Sequence, residues 1–153
     1  AKKPVPLLIA ALGPVMLGLA GREADGTATW MTGVKTIEGH IAPTMGKAAK
    51  EAGKPTPRIA AGFPICLTNK PDEARAFIGE TLTVYGQLPS YRAMLDREGL
   101  DGPADIALVG DEAALDAEIA RLKSCGVTDF IASILGPDEG DFDRTVEYLA
   151  GKQ

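Results

Sequence analysis

Residues 4–26 read PVPLLIAALGPVMLGLAGREADG, and the uncharged run through residue 21 decides the fold. Preceded by Lys2 and Lys3, the run has the flanks of a signal peptide or a membrane span. Pro4, Pro6 and Pro14, with Gly13, Gly18 and Gly21, interrupt it. A Gly-Pro step in mid-segment would break a spanning helix and leave backbone groups unpaired in lipid. No small-residue cleavage pattern precedes Arg22 either. The segment reads instead as a strand over Val5–Leu12, a turn at Gly13-Pro14, and an apolar helix over Val15–Ala24 ending at Asp25-Gly26. A continuous apolar run bounded by Pro and Gly is the pattern of a strand covered on both faces, and Pro14 suits the first turn of a helix.

Outward from this unit the alternation repeats. Thr27–Met31 reads as a second strand, followed by a helix with Ile37, Ile41, Met45, Ala48, Ala49 and Ala52 at spacings of three and four. Pro43 kinks that helix or marks its start, and Gly53 closes it. Arg58–Leu67 is a third strand. Asn69, Pro71, Asp72 and Glu73 open a helix that runs to about Val84, breaks near Gly86–Pro89 and resumes over Ser90–Glu98. Asp111 caps a helix over Glu112–Cys125 that stops at Gly126. Asp129–Leu135 is a fourth strand, and Phe142–Leu149 a last amphipathic helix. Four strand-helix units spell α/β, with a parallel sheet and right-handed crossovers. A closed eight-stranded barrel takes about 250 residues, so a (β/α)4 half of a TIM barrel is one reading. A half barrel leaves two unpaired edges and an open apolar face. The chain is therefore an open sheet, or a half that pairs with another half or a second copy.

The 153 residues suffice for a single domain, 1–153. Sixteen basic residues against 21 acidic ones give a net charge of −5, so no basic face is available for nucleic acid or an anionic membrane. Hydrophobic residues at 45% and charged ones at 24% describe a globular chain, not a disordered one. Cys66 and Cys125 belong to no metal-ligating spacing and read as small buried thiols in a reducing cytoplasm.

Chemistry is expected where strand one runs into its helix. Ala10, Ala11, Leu12 and Gly13 sit at the carboxyl end of a parallel strand, where small residues let a ligand approach and the helix's free amides suit a phosphate. A plain tight turn would read the same, and neither GxGxxG nor a GK[ST] loop is present. Trp30 either walls a flat ring ligand or packs the rim. His40, the sole histidine, reads as a surface or capping residue, because no partner for general-base work can be named. The acids at 138, 139, 141 and 143 lack the pattern of a calcium loop and read as a solvated helix start, so no metal site is expected. Tyr85, Tyr91 and Arg92 flank the break after the third strand's helix and form a lid, a binding loop or a cap.

Four stretches carry a resemblance: LLIAALGPVMLGLAGREADGTATWM (7–31), PRIAAGFPICLTNKPDEAR (57–75), YGQLPSYRAMLDREG (85–99) and VGDEAALDAEIARLKSCGVTDF (109–130). The chain resembles the luciferase-like monooxygenase superfamily, in its deazaflavin-dependent oxidoreductase branch, from Pro6 to Leu149. The AALGP-x-ML-x-LAG-x-x-ADG pattern at 10–26 and the 85–99 stretch are its specific parts. The resemblance implies strands five to eight, the C-terminal half, of a (β/α)8 barrel that binds coenzyme F420 or FMN at its carboxyl face. It places Ala10, Ala11, Leu12 and Gly13 where the family holds the cofactor's phosphate and side chain, and Trp30 and Met31 beside the ring and substrate cavity. It implies hydride transfer between F420, or FMN as the alternative, and a small organic substrate, with the N-terminal half supplying most proton-transfer groups. No catalytic residue is assigned. The Ala1-Lys2-Lys3 start falls inside an expected βα loop, as in a piece of such an oxidoreductase. The expected partner is the missing half of the barrel or a second copy forming a homodimer. The alternative is a non-catalytic half barrel that binds a cofactor phosphate or dimerises.

Overall fold

The computed structural model describes residues 5–152, so the reading of the Ala1–Lys3 start lies outside the described residues. The decisive segment folds as strand β1 (Leu8–Ala10), a turn, and helix α1 (Pro14–Glu23), with Pro14 at its first position. The strand is shorter than the apolar run because Ala11–Gly13 leave the ladder to reach the helix. Strand β2 (Gly26–Trp30) follows at once, and its start is tight. A Cβ on Gly26 would lie 2.1 Å from the Arg58 carbonyl oxygen, so only glycine fits there.

The next helical stretch is continuous from 34 to 51 but not uniform. Helix α2 (Val34–Thr36) passes through a π-helical turn (Ile37–Ile41) into helix α3 (Ala42–Glu51). The Ala42 N–H reaches five residues back to the Ile37 carbonyl. Pro43 explains this: it has no N–H to offer the Gly39 carbonyl and its ring would crowd it, so the chain takes a wider turn. Pro43 stands in the first turn of α3, directly after the π-helical turn, so it marks the start of that regular segment within a continuous helical stretch. Of the six apolar positions expected at helical spacing, Ile37, Ile41, Met45, Ala48 and Ala49 are buried, while Ala52 lies exposed at the C-cap of α3.

Strand β3 (Arg58–Leu67) is followed by helices α4 (Pro71–Thr81), α5 (Thr83–Gln87), α6 (Pro89–Glu98) and α7 (Pro103–Ile106). Strand β4 (Leu108–Gly110), helix α8 (Glu112–Ser124), strand β5 (Asp129–Ile134) and helix α9 (Glu139–Ala150) complete the order. Asp111 caps α8 by accepting from the Ala114 N–H at 2.9 Å. The acidic run supplies Glu139 and Asp141 to the first turn of α9, where the helix dipole favours them.

The sheet is parallel throughout, and it has five strands where four were expected. The extra strand, β4, pairs with Ile65–Leu67. It continues the edge of β3 that β2 occupies over Arg58–Gly62, while β5 pairs along the other edge over Ala60–Ile65. The bonding pattern shows this division. The Gly62 carbonyl accepts from Met31 on β2's side, and the Thr68 N–H donates to Gly110 on the same side. The Ile59 and Ile65 carbonyls accept from Thr128 and Leu135 on the other.

Side chains alternate between the faces of a strand, and the register sorts them. Thr27, Met31, Ile59, Ala61, Phe63 and Ile65 share one face and are all buried, together with Leu17 and Ala20 of α1 and Met45 of α3. The opposite face carries Ala10, Ala28, Trp30, Gly62 and Ile131, brought into register row by row. Ala10 and Ile131 on that face are exposed. Among the described residues no helix is long and apolar enough to cross a membrane.

Candidate functional site

The open face of the sheet ends in a cavity of 590 Å³ at the carboxyl ends of β1 and β2. Ala10, Ala11, Leu12, Gly13 and Trp30 all line it, so five of the six expected site residues come together. Met31 does not join them. It is fully buried on the helix-covered face, at a left-handed φ of 48°. Alternation sends Trp30 one way and Met31 the other. The positive φ turns the chain out of the strand, and Thr32 Oγ1 donates back to the Trp30 carbonyl at 3.2 Å.

Two helices present their first turns to this space. Gly13 and Met16 come from the start of α1, and Ser90 and Tyr91 from the start of α6. Both helices have ten residues and proline at the first position. The first amides of a helix have no intrahelical acceptor and carry its positive end. None of the cavity-lining side chains is charged, so an anion there would rest on amides and hydroxyls. Arg92, beside Tyr91, is occupied elsewhere. It bonds the Asp96 carboxylate at 2.8 Å and the carbonyls of Leu100 and Asp101.

Aromatic rings form the wall. Trp30 meets Tyr85 edge-on at 6.1 Å between centroids, and Tyr85 meets Tyr91 edge-on at 5.1 Å. Helices α5 and α6 are separated by Leu88 alone, which sets Tyr85 against Tyr91, and of the two tyrosines Tyr91 lines the cavity. Burial, then the neighbouring Tyr85, pushes the Tyr91 phenol above its ordinary value, so it stays a neutral donor near pH 7. The Trp30 Nε1 is buried and unpartnered among the described residues, a state that costs free energy unless a ligand acceptor fills it.

Three features of the structure, two of them beside this cavity or its turn, are not legible in the sequence. Ser90 and Met16 stand in the helices the sequence predicts, but nothing local marks them as lining the cavity. His40 was read as surface or cap. It is half-buried, and its Nε2 lies 2.8 Å from the Leu12 carbonyl oxygen. Glu98 had no local signal at all. It is 9% exposed and its carboxylate accepts from the Thr36 N–H at 2.6 Å and the Lys35 N–H at 3.3 Å. It thereby caps α2 from across the molecule. The two thiols are buried and free. Burial, then Asp141, pushes Cys66 up to about 11.

A model of the luciferase-like monooxygenase family matches residues 1–149. The chain belongs to that family. Within it, the chain is 26% identical to a 5,10-methylenetetrahydromethanopterin reductase of Methanopyrus kandleri, over 97% of this chain and 49% of that protein. The solved structure of the coenzyme F420 dependent tetrahydromethanopterin reductase from Methanopyrus kandleri superposes with a TM-score of 0.75 at 22% identity, covering 95% of this chain and 49% of that one. An F420-dependent secondary alcohol dehydrogenase, solved with an F420-acetone adduct, gives 0.71 at 21% identity over 97% of this chain and 50% of that one. The FMN-bound oxygenating constituent of 3,6-diketocamphane monooxygenase from Pseudomonas putida gives 0.64 at 17% identity over 87% and 43%. The chain spans about half the length of the relatives it matches. Its parallel sheet with alternating helices is the α/β fold of these luciferase-like barrels, at half their length.

Proposed function

We propose that the chain, as a single domain, forms the C-terminal half of an oxidoreductase of this family that transfers hydride between coenzyme F420, or FMN, and a small organic substrate. The observation that carries the reading is the uncharged cavity, where the first turns of α1 and α6 meet the Trp30 ring at the carboxyl ends of parallel strands. A volume of 590 Å³ lies in the range of cofactor and ligand sites. The residues fit such a group. Amides of Gly13 and the first turn of α1 would hold its anionic tail, the Ser90 hydroxyl would add a donor, and Trp30 Nε1 would gain the acceptor it lacks.

When bound, the cofactor supplies the hydride chemistry itself. The chain's own contribution is binding and exclusion of water. Trp30 and Tyr91 wall one side with Tyr85 packed against both rings, Ala10, Ala28 and Gly62 leave the floor open, and the Tyr91 phenol stays protonated as a donor. Met31 belongs to the support behind the site and not to its surface. The remaining wall and the proton-transfer groups belong to a partner that completes the barrel. That partner is the N-terminal half or a second copy, docking on the open face and on the free edges of β1 and β5. Such an assembly belongs in a reducing cytoplasm, and the two buried free thiols support that placement.

A second reading has an observation behind it. No carboxylate, imidazole or thiol lines the cavity, so the half alone binds a cofactor or dimerises and does not turn over. Native mass spectrometry with F420 and, separately, FMN tests the first reading. One cofactor per completed barrel, with substrate turnover in that assembly, supports it. Cofactor bound without turnover favours the binding module, and an assembly that holds no cofactor at high micromolar concentration defeats the first reading and leaves only the dimerising half.

A further inference from the structure

His40 is the one histidine of the chain, and it reaches across 28 residues to the β1–α1 turn, where its Nε2 meets the Leu12 carbonyl. A carbonyl only accepts, so Nε2 carries the proton and donates. The described peptide bonds are all trans. In a trans peptide the N–H points opposite to the C=O of the same plane. A Leu12 carbonyl held toward His40 therefore turns the Gly13 N–H away from the ring. Gly13 is exposed and lines the cavity, and among the described residues nothing accepts from its N–H. Space is open there too, since a Cβ on Gly13 would meet nothing within 4 Å.

The π-helical turn brings the histidine to this place. An inserted residue advances everything after it by about 100° around the axis. His40 sits inside that insertion, between the buried Ile37 and Ile41. Pro43 enforces the wide turn, so one backbone irregularity on the second helical layer sets one peptide plane in the first loop.

We propose that His40 is a positioning residue that orients the Leu12–Gly13 peptide so that the Gly13 N–H faces the cavity as an anion donor. The role of that donor rests on the cofactor reading above; the orientation of the peptide does not. Gln places an amide N–H near the reach of His Nε2, Asn is the same chemistry too short, and Phe keeps the ring without the donor.

The test is an NMR titration of the 15N-labelled chain with inorganic phosphate, for wild type and for H40Q, H40N and H40F, with melting curves for each. The expected result is a displaced Gly13 amide resonance and about tenfold weaker phosphate binding in H40N and H40F, with both properties retained in H40Q. Since Gln and Asn differ only in reach, a general loss of folding cannot mimic that split. A Gly13 resonance unmoved in H40N and H40F overturns the proposal, whatever happens to phosphate. A resonance displaced in those two variants, in a chain that binds no phosphate, supports the orientation by His40 and overturns the cofactor reading instead.

Discussion

The two faces of the sheet share every strand and obey different rules. The face under the helices carries Thr27, Met31, Ile59, Ala61, Phe63 and Ile65, all nearly inaccessible. The open face carries small residues and one indole, and Ile131 upon it is 46% exposed. The first face stabilises the fold by burial. On the second, Ala10 and Ile131 lie exposed, and the residues beside them shape what can approach the chain. Alternation makes the separation sharp: Trp30 and Met31 are neighbours in sequence, yet one lines the cavity and the other supports it.

The strongest way to break that comparison is to empty the covered face. Phe63→Ala removes a ring that stacks on Phe130 at 6.3 Å, and urea denaturation should show a loss of about 3–5 kcal/mol. Next comes the end of the same strand. Thr145 accepts from the Leu67 N–H at 2.9 Å and donates to the Asp141 carbonyl at 2.6 Å, with no exposure. Thr145→Val strands the Leu67 amide and should cost about 1–3 kcal/mol. On the open face, Ile131→Thr should change stability by less than about 0.5 kcal/mol. A larger cost that appears only on adding the N-terminal half would place Ile131 in the completed interior. Gly13→Asp should leave the melting temperature unchanged while weakening phosphate or cofactor binding at least tenfold, because the acid occupies open space beside the donor amides.

Cys66 sharpens the contrast by pH. Its thiol is raised above the unfolded value, so the folded chain holds the proton longer. Its contribution to stability is whole below about pH 9 and lost as pH rises through about 11. Alkylation of the folded chain should stay slow at neutral pH and accelerate only toward that value, measured by mass spectrometry against urea-unfolded protein.

Patterns confined to a dozen residues were legible in the sequence. An apolar run bounded by Pro and Gly marks β1, short runs rich in β-formers mark three more strands, Asp111 marks its cap, and Ala10–Gly13 with Trp30 mark five of the twelve residues that line the cavity. What escaped depends on distance or on small size. Strand β4 has three residues wedged between a one-turn helix and Asp111, too few for any period to show. Met31 follows Trp30 directly, so alternation sends it to the covered face, a distinction that the resemblance placing both beside the cavity does not carry. Glu98 and His40 act on backbone groups 62 and 28 residues away, and the His40 contact also depends on a π-turn that registers in sequence only as a proline inside a helical pattern.

The central strand has a consequence for biosynthesis. Both ladders on one edge of β3 come from chain on either side of it, but the other edge waits for β5, anchored by the Arg58–Asp129 ion pair 71 residues on. During synthesis a ten-residue apolar strand stands with one side unsatisfied until the last quarter of the chain emerges. Such an edge templates association with other nascent chains. Any product stopped before residue 129 should be an aggregation hazard that chaperones must cover, and β5 is the element whose arrival ends the danger.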